Sequence, residues 1–578
     1  MKKIISVLLS AIMVFSVGFA AFSANAFAGD TAAPAVQSVA EEKAIGTPSP
    51  ADLLSALNGI RIPTSWPEIQ NYLVKLLYKL ADTIIDVLLK AINRHIPSVD
   101  FEDKAAYKNE QFYEGMDEYL TQPASNAVWK LGYASGSLQT GDELDGKHYV
   151  GGSLSFPESK AATAIYDDQR VRTIALSDNS GRGTVVFAVL DGFGISNTQV
   201  NIIRSMLADF AKANNIVSIN ISVLHQHSCV DTFGMNGDLV KMVLANPAIL
   251  IANKKLNTDF KLLNGLNESF MNHLYDVTVK SVKDAVASMT EGKMYYSETN
   301  ASQYIYDKRE PLIYDELIHR LRFVPDNGDR ETWICNFAIH CVGNGAAQTD
   351  VTGDYPYYME KVINEQADAN FIQIQGAELA ITADNDPLNT PDEMPRLERL
   401  RVYGKALGEL LINSDAPETE VEPLLNVRHA VYYVPISNQI LEFAGKLGAL
   451  TNTVVSLDEK DTQLEVATEL GYMEIGQKLA VAIIPGELEP AIAYGGYLDA
   501  SEAWNGKDFD YPSFCDIIPK DKELLVFGLT NDQIGYILED NDYRSILSGV
   551  NEEIVATGDK AGSSTIEAFE SLYNSIYR

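Results

Sequence analysis

The first strong periodicity along the chain lies between Trp66 and Ile96. There Ile69, Leu73, Leu76, Leu77, Leu80, Ile84, Leu88 and Ile92 recur at helical spacing, with Lys75, Lys79, Asp82, Asp86 and Lys90 mainly between them. That pattern predicts a long amphipathic helix or a helical hairpin. Its apolar stripe has two possible partners, the main body of the protein or a lipid surface, and peripheral membrane contact through 66–96 is the functional alternative. From about residue 125 the period changes. Runs such as TVVFAVLDG (184–192), IVSINISVLHQH (216–227), ETWICNFAIH (331–340) and LAVAIIPGE (479–487) read as strands. They alternate with helical stretches such as 197–214 and 395–414. Several of these strands are apolar nearly throughout, which suits a sheet covered on both faces. The expectation is an α/β fold: a large mixed-sheet domain over 125–578, preceded by a helical N-terminal extension over 51–124. The last stretch, 556–577, reads as a Gly-rich loop and a closing helix.

The N-terminus reads differently. Lys2 and Lys3, an apolar core from Ile4 to Phe22, and Ala26-Phe27-Ala28 form the three parts of a secretory signal over 1–28. Residues 29–50, rich in Ala, Pro and acid, read as a disordered leader. The expected location is therefore secreted, with a mature chain beginning near Gly29. No later stretch has the roughly 18 uninterrupted apolar residues of a membrane span.

Composition removes whole classes of function. The formal charge is −34 with no basic stripe, so nucleic acid is not an expected partner. Four cysteines in 578 residues build no disulfide scaffold, and without C-x-x-C spacing they build no zinc knuckle. Cys229 and Cys341 adjoin candidate site residues and could approach each other, with two buried free thiols as the simpler expectation.

Three strand-like runs end in a metal-ligand residue type. The first ends in His225-Gln226-His227, the second in His340, the third in Pro485-Gly486-Glu487. Loops converge at the carboxyl ends of strands in α/β sheets, and residues i and i+2 of extended chain share a face. Three nitrogen or oxygen ligands with one open position is the pattern of a catalytic zinc. Hydrogen-bonded core histidines and an ordinary Pro-Gly-Glu turn are the competing reading, and the pattern alone leaves both open.

In order along the chain stand GRGTVVFAVLDGFGIS (181–196), IVSINISVLHQHSCVDT (216–232), NFAIH (336–340), FIQIQGAE (371–378), IIPGE (483–487) and TNDQIGYI (530–537). Taken together, over roughly residues 130–578, they resemble the catalytic domain of the neutral/alkaline (non-lysosomal) ceramidases, especially the shorter secreted bacterial ones. The resemblance implies one zinc ion per chain, held by His225, His340, Glu487 and Tyr536. It implies His227 beside the metal as a hydrogen-bonding group, and Arg309, in YDKREPLIYDELIHRLRFVP (306–325), as the loop arginine of the site. It makes His227, Arg309 and Tyr536 the catalytic candidates. Their expected work is to stabilise the oxyanion of an attacked amide, or, for His227, to pass a proton to the leaving amine.

The chain departs from that family at the serine segment. Where ceramidases carry G-D-x-S-P-N, this chain reads IQGAELAITADN (374–385): if Glu378 takes the Asp position, Ala380 stands where the Ser would be, and Thr382 reaches that place only in a shifted alignment. H-T-H-S-G becomes H-Q-H-S-C, and the Ig-like C-terminal domain of the long members is not expected in this chain. A metal-activated water is therefore the expected nucleophile. The expected function is a secreted zinc-dependent amidohydrolase cleaving the N-acyl bond of ceramide or a related acylated lipid. The alternatives are a catalytically impaired ceramidase-like binding or surface protein and a metal-dependent esterase of another substrate class.

Overall fold

The computed structural model describes residues 66–151, 161–237, 239–345, 348–383, 388–391, 393–545, 547 and 552–577, with the side chains of 66–72, 239 and 240 left aside. The expected signal segment 1–28, the leader 29–50 and positions 51–65 of the extension lie outside the described residues.

Two sheets carry the architecture. The first is built from β1 (Trp129–Ser137), β2 (Arg170–Ser177), β3 (Thr184–Leu190), β4 (Ile216–Val223), β5 (Thr290–Asn300), β6 (Leu317–Pro325), β7 (Glu331–Phe337) and β8 (Ala369–Gln375). Its order is β8-β7-β6-β5-β1-β2-β3-β4, with the short strand Thr419–Val421 added beside β5. Neighbours in this order are antiparallel except at the two ends, where β7 and β8, and β3 and β4, run parallel. The second sheet contains β9 (Leu425–Pro435), β10 (Val454–Ser456), β11 (Leu464–Ile475), β12 (Leu479–Ile483) and β13 (Glu523–Phe527). In it β11, buried at every position, pairs with β9, β10 and β12, and β12 lies parallel to β13.

Alternation along single strands shows how the layers stack. Val185, Phe187 and Val189 of β3 join Leu479, Val481 and Ile483 of β12 in one core between the sheets. The intervening Val186, Ala188 and Leu190 turn to the other side, where α2 (Asn197–Ala213) and the later helix Glu268–Ala287 cover them through Ile203, Leu207, Phe270 and Leu274. On the far side of the second sheet, Ala480 and Ala482 meet Ile566, Phe569 and Leu572 of the C-terminal helix Ala561–Tyr577. The result is a four-layer αββα stack, the mixed α/β fold expected from the strand pattern. Both faces of the central strands are buried, which is why their sequences lack alternation.

Helix α1 (Trp66–Asn93) is one continuous helix, and residues 94–128 hold only the two-residue strand Glu102–Asp103 among turns and irregular chain. Most of the stripe picked out by the sequence pattern does not face the protein: Leu73, Leu76, Leu77, Leu80, Ile84 and Leu88 are exposed, and among its described side chains only Ile92 is buried. The helix docks near its C-terminal end. Leu89 and Ile92 pack on Phe443 and Leu447, and the Ser545 hydroxyl donates to Asp82 at 2.7 Å. No helix among the described residues is long and apolar enough to cross a membrane.

Candidate metal centre

The nine-stranded sheet curls until its ends meet, and the meeting point is the site. Past the end of β4, the main-chain N–H of His227 donates to Cys341 O, just past β7, at 3.1 Å. The Gln375 amide at the end of β8 donates to both Leu224 O and Ile339 O. His225 and His340, 115 positions apart in sequence, thereby face each other with ring centroids 4.9 Å apart.

His225 is not in extended chain. Its φ is +55°, a left-handed conformation that costs a non-glycine residue about 1–2 kcal/mol. The turn is held by Gln226 N donating to Gly192 O and by the Gln226 side chain, which donates to Asp191 and to Gly353 O. The expectation that His225 and His227 share a face therefore holds by a different route: the chain turns at His225, and the two rings lie 4.7 Å apart at right angles.

The third strand end supplies the acid. Glu487 follows Pro485-Gly486 after β12 and pairs directly with Tyr536 in a short parallel contact. Gly486 permits that contact, because a Cβ there would lie 2.7 Å from Gly535 O. Glu487 accepts from the Gln533 amide at 2.8 Å through one oxygen. Its other oxygen lies 3.3 Å from His225 Nε2 and 3.2 Å from His340 Nε2.

These contacts are not ordinary hydrogen bonds. His225 Nδ1 lies 2.7 Å from Phe193 O, and His340 Nδ1 lies 3.0 Å from Glu378 O. A carbonyl only accepts, so each Nδ1 donates its proton there, and in a neutral ring Nε2 is left as an acceptor facing a carboxylate oxygen. Burial, followed by the neighbouring His227 and His340, holds the His225 pKa well below its ordinary value and keeps the ring neutral. Converging lone pairs repel unless a cation sits among them. Separations of 3.2–3.3 Å match the edge of a tetrahedron with metal bonds of about 2.0 Å. His225 Nε2 and Glu487 Oε2 are buried without a hydrogen-bond partner. A group of His225, His227 and His340, and another of His225, Glu378 and Glu487, each bring ligand atoms within 4.8 Å of one another, so the residues present fit a metal ion.

Of the other residues singled out by sequence, Tyr536 shares a side-chain hydrogen bond with Glu487, and burial together with the Glu487 and Glu552 charges pushes its pKa well above the usual phenol range. His227 and His340 are the more open members, each 9% exposed. Arg309 is placed in a carboxylate set of its own, 2.9 Å from Glu553, 3.3 Å from Asp542 and 3.7 Å from Glu552. Ala380 is buried beside Leu379, Leu538 and Ala556. Cys229 and Cys341 are free buried thiols, pushed up in pKa chiefly by burial and so kept protonated. Sequence reading did not assign a role to the Glu378 carboxylate, the Gln533 amide or the Phe193 carbonyl. Glu378 could have been found by the rule that found the histidines, since it follows the end of β8 by three residues.

Solved structures with this arrangement of layers carry the comparison. The chain matches the crystal structure of neutral ceramidase from Pseudomonas aeruginosa at a TM-score of 0.55 and 14% identity, over 78% of this chain and 74% of that one. It matches a ceramidase complexed with C2 at a TM-score of 0.53 and 14% identity, over 78% and 75%. The fold is that of the neutral ceramidases. Within this ceramidase-like fold, the group His225, His227 and His340 with Glu487 could hold a metal ion. No family model matches the chain, and no curated protein matches it significantly.

Proposed function

We propose that this chain is a secreted, zinc-dependent amide hydrolase that cleaves the N-acyl bond of ceramide or a related acylated lipid. The observation that carries the proposal is the pair of histidine lone pairs aimed at one Glu487 oxygen inside a ceramidase-like fold. His225, His340, Glu487 and Tyr536 would hold one zinc ion. When bound, such an ion polarises a carbonyl and brings the pKa of a water down from about 15.7 toward 7.

The chain's own groups account for the rest. Phe193 O and Glu378 O fix the two imidazoles with Nε2 pointing inward, and Gln533 fixes Glu487. His227, beside these ligands and partly open to solvent, would give a proton to the leaving amine. The Tyr536 hydroxyl, which shares a hydrogen bond with Glu487, is the candidate to steady a developing oxyanion. Arg309 enters as a positioning residue, because it ties down Asp542 and Glu553 while Glu552 faces both it and Tyr536. The exposed apolar stripe of α1 supports contact with a lipid surface.

The test is hydrolysis of a fluorogenic N-acyl lipid. Activity should vanish with chelator, return with zinc, and be absent in His225→Ala and Glu487→Ala. A second reading, a ceramidase-like binding protein without turnover, is favoured by Ala380 at the serine position. Metal-loaded wild type with no hydrolysis would decide for it.

A further inference from the structure

The centre holds a second carboxylate. Glu378 is 0% exposed, and neither of its side-chain oxygens has a hydrogen-bond partner. One of those oxygens lies within 4.8 Å of ligand atoms of both His225 and Glu487. The residue cannot easily turn away, because its carbonyl accepts from both the His340 ring at 3.0 Å and the Ile381 N–H at 3.0 Å. Its chain neighbours Leu379 and Ala380 are apolar and buried, so they offer no donor to offset a charge.

Two carboxylates buried together without a cation are strongly unfavourable. Neither Glu378 oxygen receives a hydrogen bond that would compensate a charge there. A divalent ion between the two acids resolves it directly.

We propose that Glu378 is a ligand of the same divalent cation as His225, His340 and Glu487, giving the centre two carboxylates where a histidine–carboxylate–tyrosine set alone would carry one. The inference rests on the metal-centre reading above and says which of this chain's residues complete it. Two carboxylates balance the charge of a divalent ion and make the ligand set richer in hard oxygen donors, so Mn2+ and Co2+ should bind alongside Zn2+. The second acid occupies the segment whose Ser position here is Ala380, so the chain replaces a hydroxyl near the metal with a charge on it.

The experiment strips the full-length protein with chelator and titrates it with Zn2+ against a chromophoric competitor. Wild type, Glu378→Gln and Glu378→Asp are compared. Wild type should bind one equivalent. Glu378→Gln should lose more than about 100-fold in affinity, beyond the roughly 10- to 100-fold of an outer partner, and Glu378→Asp should fall between. The metal-free Glu378→Gln protein should melt no lower than metal-free wild type, because the carboxyl it replaces has no hydrogen bond there to lose; the same scan shows that the variant folds. A loss below about 100-fold makes Glu378 an outer partner and overturns the proposal, as does wild type that takes up no zinc. Affinity and hydrolysis separate the two readings. Glu378-dependent metal binding in a protein that leaves N-acyl lipids intact keeps this inference and removes the substrate assignment.

Discussion

The Arg172 cluster and the Glu487 cluster are neighbours joined by Gln226, yet one closes on itself and the other does not. Arg172 on β2 lies 2.7 Å from Asp191 and 2.5 Å from Glu360, three fully or nearly buried charges with their hydrogen bonds spent on one another. Around Glu487 the groups are just as buried, but lone pairs face lone pairs and both Glu378 oxygens are left over. Native cores rarely leave polar atoms in that state. The difference teaches how to tell structural burial of charge from functional burial: the first is complete without a visitor, and the second has the shape of something it must receive.

The sharpest way to break this comparison is at Glu487. Glu487→Ala should abolish metal uptake and lower turnover on an N-acyl lipid by about 10³-fold or more, while the metal-free protein keeps its urea midpoint or gains a little. Loss of stability instead of metal would place Glu487 with the structural acids. The mirror experiment is Glu360→Ala. It leaves Arg172 with Asp191 alone and should cost about 3 kcal/mol in urea unfolding, with zinc stoichiometry unchanged in whatever fraction stays folded.

A histidine outside the centre extends the contrast to pH. His429 on β9 lies 2.9 Å from the Ser218 hydroxyl of β4, and burial brings its pKa from the ordinary 6.5 down to about 4. Between those values the unfolded chain binds the proton and the folded one does not, so stability rises with pH through this window and is lost on acidification. The full effect is about 3 kcal/mol. Urea midpoints at pH 4 and pH 7.5 measure it, and His429→Gln should flatten that part of the profile. The smallest effect belongs to α1. Leu77→Lys with Leu80→Lys lies on the exposed stripe, so unfolding should move by no more than about 0.5 kcal/mol while binding to neutral lipid vesicles falls. Unchanged vesicle binding would remove the stripe from the lipid reading.

Much of this was legible in the chain. The strands carrying His225, His340 and Glu487 stood out because both faces of each are buried and their runs are apolar throughout. Their ends drew attention because ligand-type residues are costly there without a purpose. Other parts depend on distance in three dimensions. Whether the α1 stripe packs inward cannot be read from its period, since the buried Leu89 and Ile92 are as apolar as the exposed Leu77 and Leu80. The left-handed turn at His225 leaves no mark in a sequence where glycine would be the usual signal. Arg309 matched a loop position, but its acid partners Asp542 and Glu553 come from more than two hundred residues away. Glu378 was visible as a departure from a family pattern, while its lack of partners could appear only once the core around it was assembled.

The closure of the first sheet has a kinetic consequence. His225 and His340 meet only when β4 and β7, from far-separated parts of the chain, have both docked and the His227–Cys341 main-chain bond has formed. A pairing of such long range is expected late in assembly. High-affinity uptake of a metal ion during refolding would then act as a clock for the last joining of the sheet: the ion arrives at a finished seam and locks it, and does not recruit the strands that make it.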